Sequence, residues 1–594
     1  MDAALLVAGP ALQLARRRKR SGKGKRSLHP VWMRQPLLSS GQLLTSHPPR
    51  TMLGLMMQQP LRIAGLIEHA AKWHGTTEIV SRLPEGGPLH RYTYADAHQR
   101  AKRLANAFTR LGIQNGDRVG TLAWNTHRHF ELYYGISGIG AVCHTINPRL
   151  FFEQLVYIIN HAQDRLLFFD LTFLPLVTKL APHCPTVEKW VLMTGQEHLP
   201  TESALAGLAS YESLLAAERD DFEWPVFDEN TASSLCYTSG TTDEPKGVLY
   251  SHRSTLLHSY VASLPDCFNC GARDVILPVV PMFHVNAWGS PYLAALNGCK
   301  LVLPGPALDA ASLYELFESE GVTFSAGVPT IWFGLLTYMR EGQRRFSTLR
   351  KMIVGGASCP PALLRAFDEE LGVEIRHAWG MSETSPLGTV STLKASQLDL
   401  PEEAQFFLKI KQGRAIFGID MEIVDGEGQP LPHDGVAFGD LLVRGPFVVS
   451  DYFNSASPGQ LTADGWFRTG DVATIDPDGF MNITDRSKDV IKSGGEWISS
   501  IDLENLAVAH PAVAEAAVIG VPHPKWSERP LLVAVRKPGH DLSGEELLAF
   551  LDGKIAPWWR PDAVEFVESL PHTATGKLLK TQLRKDFAGY ELKA

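Results

Sequence analysis

The chain has 594 residues, 44% hydrophobic and 20% charged, enough for one large domain with one or two smaller ones and typical of an ordinary globular protein. A formal net charge of −8 gives no general attraction to nucleic acid, so no nucleic-acid partner is expected. Seven cysteines form an odd, sparse set that excludes a disulfide framework and points to a reducing, cytoplasmic location.

The first fifty residues differ from the rest. Met1 to Ala15 is mostly apolar but short and broken by Pro10, and the basic cluster Arg16 to Arg20 follows it, whereas a secretory signal carries its charge first. A membrane-spanning helix needs about 20 apolar residues, which no stretch supplies, so no transmembrane segment is expected. A disordered basic tail, an organelle-targeting leader and an over-extended start with Met52 as true initiator all fit. The last is preferred, because Met52 leads onto the amphipathic helical pattern Leu61-Arg-Ile-Ala-Gly-Leu-Ile-Glu-His-Ala-Ala.

Apolar residues recur at helical spacing from Tyr92 to Leu111, and Gly112 to Gly116 then turns into the strand pattern Arg118-Val-Gly-Thr-Leu-Ala. A helix at Leu132 to Gly138 and strands at Leu166-Leu-Phe-Phe-Asp and Val191-Leu-Met continue the alternation. This predicts an α/β architecture with mostly parallel sheets flanked by helices. The Glu, Ala and Ser-rich stretch Gln196 to Asn230 reads as a solvated connection.

It leads into Tyr237-Thr-Ser-Gly-Thr-Thr-Asp-Glu-Pro-Lys-Gly247, which packs hydroxyls, glycines and a lysine into one turn. Glycines such as Gly240 let backbone N–H groups approach oxyanions, the hydroxyls of Thr238, Ser239, Thr241 and Thr242 donate hydrogen bonds, and Lys246 adds a point charge. The loop suits a triphosphate but is not a Walker A loop, because Pro245 stands where the second glycine belongs and Gly247 follows the lysine.

Farther on, the strand Val275-Ile-Leu-Pro-Val-Val runs into Pro281-Met-Phe-His-Val-Asn-Ala-Trp-Gly, a candidate pocket wall. Ile353-Val-Gly-Gly-Ala and Val373-Glu-Ile-Arg-His-Ala-Trp-Gly-Met-Ser-Glu-Thr end strand-like runs, where ligands of open α/β sheets bind. Gly465-Trp-Phe-Arg-Thr-Gly-Asp471 and Asp485-Arg-Ser-Lys-Asp-Val-Ile-Lys-Ser-Gly-Gly-Glu496 follow. The pattern then changes to a compact α+β unit ending in Pro571-His-Thr-Ala-Thr-Gly-Lys577. Residues 1–51 are read as an extension, 52–487 as a large domain and 488–594 as a small mobile one.

With these segments in this order, the chain from about Leu61 onward resembles the adenylate-forming superfamily. Val285-Asn-Ala-Trp288 and Ser493-Gly-Gly-Glu-Trp-Ile-Ser-Ser500 are most similar to bacterial medium- and long-chain fatty acyl-CoA ligases and 3-methylmercaptopropionyl-CoA ligases. The resemblance implies an ATP-dependent acid–thiol ligase that uses Mg²⁺, activates a fatty acid as its acyl-adenylate with release of pyrophosphate, and passes the acyl group to CoA with release of AMP. Two anions meet in the first half-reaction, so cations and donors are required where charge develops.

By that resemblance Lys246 and the loop hydroxyls hold the phosphates, Glu383 binds Mg²⁺, and Thr384 meets the α-phosphate. Trp379, in place of the usual tyrosine, stacks on adenine beside Gly380, while Gly355, Gly356 and Ala357 line the base. Asp471 takes the ribose hydroxyls with Arg486 nearby. Lys577 reaches the reacting oxygens, and with Lys246 and His284 it completes the catalytic candidates. The small domain swings at Lys488 to bring Gly494, Gly495 and Glu496 toward CoA. Val285, Asn286, Ala287, Trp288 and Gly327 shape the acyl pocket, and homodimers occur among such relatives.

Two departures stand out: Asp243 and Glu244 sit in the phosphate loop, and Ser382 replaces a threonine. A 3-methylmercaptopropionate or aryl-acid ligase is the alternative reading, and a non-catalytic nucleotide-binding scaffold is the alternative from another class.

Overall fold

The computed structural model describes residues 54–238, 245–455, 461–487, 489–493, 496–572, 578–590 and 592. The described residues from Gln59 onward form one compact unit.

The first helix-to-sheet step shows how the pattern becomes structure. Thr93 and Asp96 form a reciprocal capping box that starts the helix Tyr94–Arg110, satisfying two otherwise orphaned backbone donors. Its buried stripe of Ala97, Ala101, Leu104, Ala105 and Phe108 packs toward the helix His127–Gly138, which is buried along its whole length. Behind them lies a seven-stranded sheet in the order Ala209–Ser210, Lys189–Leu192, Asp164–Phe169, Arg118–Leu122, Val142–Thr145, Ala232–Tyr237, Gly247–Ser251. All neighbours are parallel except the last pair, and strands covered on both faces read as continuous apolar runs such as Leu166 to Phe169.

A nine-stranded sheet follows the order Arg414–Ala415, Leu387–Val390, Glu374–Gly380, Lys351–Val354, Phe324–Gly327, Val275–Pro278, Lys300–Leu303, Glu78–Ser81, His90–Thr93. It is parallel through its middle and antiparallel at both margins. Asn125 ties the two sheets together: its amide donates to the carbonyls of Pro278 (3.0 Å) and Val280 (2.9 Å), and its Oδ1 accepts from the Met282 N–H at 2.6 Å. The segment ahead of His284 is thereby clamped.

A four-stranded antiparallel sheet (Asp420–Val424, Phe438–Arg444, Phe467–Ile475, Met481–Arg486) precedes the small domain. The latter is a five-stranded sheet built around the long pair Val513–His523 and Ser527–Arg536, covered by the helices Ser500–Val508 and Gly544–Leu551. The expected large α/β domain with a smaller α+β domain after it is what the chain forms.

One expectation needs correcting. Gln196 to Asn230 is not simply a solvated connection, for it contributes the edge strand Ala209–Ser210 and the helix Tyr211–Ala216. Tyr211 is wholly buried and its hydroxyl donates to Glu131 at 2.6 Å; a six-residue helix is too short for its periodicity to show. All seven cysteines are buried and unpaired. Among the described residues no helix is long and apolar enough to cross a membrane.

Candidate active site

Register brings the predicted residues to one edge of the nine-stranded sheet. Gly327 pairs with Val354, and Val354 with His377, so Gly327, Gly355 and Trp379 stand at the carboxyl ends of adjacent parallel strands. The Gly355 N–H also approaches the Gly327 carbonyl at 3.4 Å. A methyl group on Gly355 would come within 2.8 Å of the Ala378 carbonyl oxygen, so the close strand approach itself demands glycine. Behind the Trp379 indole lies Gly388, where a methyl would sit 2.3 Å from the ring.

Trp379 is buried, and its Nε1–H donates to Asp471 Oδ2 at 2.9 Å. The other Asp471 oxygen pairs with Arg486 Nε at 2.8 Å, because Asp471 and Arg486 face each other across the antiparallel pair Phe467–Ile475 and Met481–Arg486. The Asp471 charge raises the pKa of the Arg486 guanidinium. A carboxylate offers about four lone-pair sites, so two are left to accept hydrogen bonds from a vicinal diol.

At the other end, the Thr238 N–H donates to the Lys246 carbonyl at 2.9 Å, closing the base of the loop read as phosphate-holding. The Phe453 N–H donates to the Gly247 carbonyl at 2.8 Å, docking the segment around Tyr452 beside that loop. There the Tyr452 hydroxyl donates to Glu383 Oε1 at 2.6 Å, while Lys246 Nζ lies 5.2 Å from the centre of the Tyr452 ring. Burial and the adjacent Glu383 charge push the Tyr452 phenol pKa up, keeping it a donor. Glu383 is held further by the Val449 N–H on its carbonyl at 2.8 Å, and the neighbouring Ser382 carbonyl accepts from the Tyr250 hydroxyl at 2.8 Å. Thr384 is wholly buried, its hydroxyl turned to the carbonyls of Met381 and Pro386.

Among the described residues no cluster of three His, Cys, Asp or Glu side chains forms a metal cage. One carboxylate such as Glu383, with the remaining ligands from phosphate and water, is the oxygen donor set that suits Mg²⁺.

The segment read as the acyl-pocket wall is built unusually. Val285, Asn286, Ala287 and Trp288 have φ of 46, 53, 50 and 54°, and Gly289 follows at 77°. Four successive L-residues in the left-handed region cost about 1–2 kcal/mol each, so the surroundings must hold the turn. Asn286 does so, its amide donating to Ser234 Oγ at 3.0 Å and its Oδ1 facing Cys236 Sγ at 3.7 Å. The turn lays the Trp288 ring over the glycine pair: methyls on Gly355 and Gly356 would be 3.4 and 3.6 Å from it. His284 opens the turn, half-buried, with its carbonyl accepting from the Ala287 N–H at 3.2 Å. Gly327 backs onto Trp332, whose ring would be 2.6 Å from an added methyl.

The described residues thus bring Gly355, Gly356, Trp379, Asp471 and Arg486 together, and Lys246 beside Glu383. Ala357 follows the glycine pair and Gly380 follows Trp379. Ser239, Gly240, Thr241, Thr242, Asp243, Glu244, Lys488, Gly494, Gly495 and Lys577 lie outside the described residues, and of Glu496 only the backbone, opening the strand Glu496–Ile498, is described. Sequence reasoning missed Tyr452 and Ser234. The run Ser450-Asp-Tyr-Phe453 carries no periodic signal, and an aromatic among polar residues past a strand was its one mark.

Residues 66–453 match the family model for the AMP-binding enzyme, and residues 502–577 that for the AMP-binding enzyme C-terminal domain. Over 90% of this chain and 99% of the relative, the sequence is 57% identical to a 3-methylmercaptopropionyl-CoA ligase of Ruegeria lacuscaerulensis. It is 50% identical to a medium-chain-fatty-acid–CoA ligase of Ectopseudomonas oleovorans, over 91% of this chain and 99% of that one. A solved anthranilate CoA ligase in complex with anthranoyl-AMP superposes with a TM-score of 0.78 at 25% identity, over 89% of this chain and 98% of that one.

Proposed function

Because the chain belongs to the AMP-binding enzyme family and is an acyl-CoA ligase working through an acyl-adenylate, we propose that its acid carries an uncharged, apolar acyl chain behind the reacting carboxylate, foremost that of a fatty acid. The observation that carries this reading is the wall of the acyl pocket, where Val285, Ala287 and Trp288 offer no charge to pair with a polar substrate. Each buried CH₂ is worth about 0.8 kcal/mol there. The second reading is 3-methylmercaptopropionate, favoured by relatives 57% and 55% identical; a thioether is as uncharged as an alkyl chain, so the wall accepts both.

The enzyme uses ATP, Mg²⁺ and CoA. Trp379, Gly355, Gly356 and Ala357 hold the adenine, and Asp471 with Arg486 holds the ribose. Lys246 and the hydroxyls from Thr238 to Thr242 hold the β- and γ-phosphates. Glu383 is the protein's ligand to Mg²⁺, which when bound neutralises charge on the phosphates. As the carboxylate attacks the α-phosphate and pyrophosphate leaves, Lys577 stabilises the charge that grows on the transferring oxygens. The CoA thiol then attacks the acyl carbon and AMP leaves, with the small domain turned about Lys488, at the 487/488 boundary, to present Gly494, Gly495 and Glu496. His284, which opens the turn of the pocket wall, is the third catalytic candidate.

AMP and pyrophosphate release across fatty acids of graded length, methylthiopropionate and cinnamate, with Lys577→Ala as control, tests the reading. Turnover highest with fatty acids and lost in the control is expected; preference for methylthiopropionate moves the assignment to the second reading. A cytoplasmic homodimer is the state we propose, checked by sedimentation and fractionation.

A further inference from the structure

We propose that Tyr452 is a positioning residue that joins the phosphate-holding lysine to the metal-binding glutamate, so that the nucleotide and its divalent cation are gripped as a unit. The inference rests on the roles proposed above for Lys246 and Glu383. Two contacts on opposite parts of one side chain carry it. The hydroxyl donates to Glu383 Oε1 at 2.6 Å, and the ring lies 5.2 Å beneath Lys246 Nζ.

A charge-assisted O–H···O⁻ bond of this length fixes the carboxylate rotamer, and a ring within about 6 Å of an ammonium attracts it by its quadrupole. Neither contact is incidental to a loose loop. Phe453 is bridged to Gly247, next to Lys246, while Val449 donates to the Glu383 backbone at 2.8 Å. The five-residue stretch from Val449 to Phe453 therefore spans the two site halves, which come from strand ends about 135 positions apart in sequence, and its Tyr452 side chain reaches both.

The two contacts separate chemically. Tyr452→Phe keeps the ring and removes the hydroxyl; Tyr452→Leu removes both. Binding of ATP is followed by calorimetry with and without Mg²⁺, and the Mg²⁺ dependence of ATP–pyrophosphate exchange is measured alongside. Tyr452→Phe is expected to weaken the Mg²⁺-dependent part of ATP binding about tenfold, the loss of one hydrogen bond to a charged group. Metal-free ATP binding and the KM for the acid should stay at wild-type values. Tyr452→Leu is expected to weaken metal-free ATP binding as well, about threefold, as an exposed cation–π contact would.

Wild-type Mg²⁺ dependence in Tyr452→Phe overturns the proposal, and so does an equal loss with and without metal or a raised KM for the acid, which mark a merely structural role. Glu383→Gln is the control for the underlying reading. If it leaves Mg²⁺-dependent binding intact, the metal assignment of Glu383 fails first, and the effect of Tyr452 is then judged on Lys246 alone.

Discussion

The Trp379 indole donates a 2.9 Å hydrogen bond to Asp471 Oδ2, so the residue read as adenine platform and the residue read as ribose acceptor hold each other in place. A tyrosine at position 379 has no N–H at that place on its ring. Trp379→Phe, which keeps a stacking face but loses the donor, is expected to raise the KM for ATP about tenfold, the worth of one hydrogen bond to a carboxylate. Gly388→Ala should do the same by another route, because its methyl would sit 2.3 Å from the indole and push it off its seat. ATP–pyrophosphate exchange at saturating acid checks both.

The left-handed turn at Val285 to Trp288 makes a separate prediction about stability and specificity together. Asn286→Ala removes the bond to Ser234 and puts a residue less tolerant of positive φ into a strained position. A loss of about 2 kcal/mol in unfolding free energy is expected, with a changed chain-length preference as Trp288 leaves the Gly355–Gly356 face. Denaturant unfolding and the acid panel measure the two effects; a variant of unchanged stability and unchanged preference would show that the turn is held elsewhere.

In the small domain, Lys580 is buried and paired with Glu504 at 2.6 Å, and its ammonium also meets the Ser500 hydroxyl. Removing one partner strands the other, so Glu504→Ala is expected to cost about 3 kcal/mol. The double variant Glu504→Leu with Lys580→Met should recover most of it. A thermal-melt cycle over the single and double variants decides.

Acid sensitivity follows from buried histidines. Burial drops the pKa of His258 and of His252 from 6.5 to about 3, and of His129 and His377 to about 4. A histidine whose folded pKa is depressed stays neutral in the folded state while the unfolded chain takes up the proton. Stability from this source is complete above pH 6.5 and lost as pH falls from 6.5 toward 3. Each such group contributes a slope of about 1.4 kcal/mol per pH unit within the window. His258 accepts the Leu387 N–H at 3.3 Å, so His258→Gln keeps an acceptor and should flatten the pH dependence between 6 and 4 by one proton. Urea unfolding across that range tests it.

Much of the site was legible because its chemistry is local. Hydroxyls, glycines and a lysine inside eleven residues are what a phosphate loop needs, and Trp379-Gly-Met-Ser-Glu383 ends a strand where open sheets bind ligands. The helix Tyr211–Ala216 was not legible, since six residues make fewer than two turns. Nor was the conformation of Val285 to Trp288, for nothing in a Val-Asn-Ala-Trp run favours positive φ; the preference comes from Asn125, Ser234 and the sheet edges that clamp it.

By itself the sequence determined the fold class, the family and the residue types of the phosphate loop and strand ends, because periodicity and short motifs act over a few residues. Only the tertiary structure decided that Asp471 is shared between Trp379 and Arg486, that Tyr452 links Lys246 to Glu383, and that Trp288 covers the glycine pair. Those relations join residues up to about 200 positions apart, and they exist only where strand register, packing and buried polar satisfaction bring distant side chains into contact.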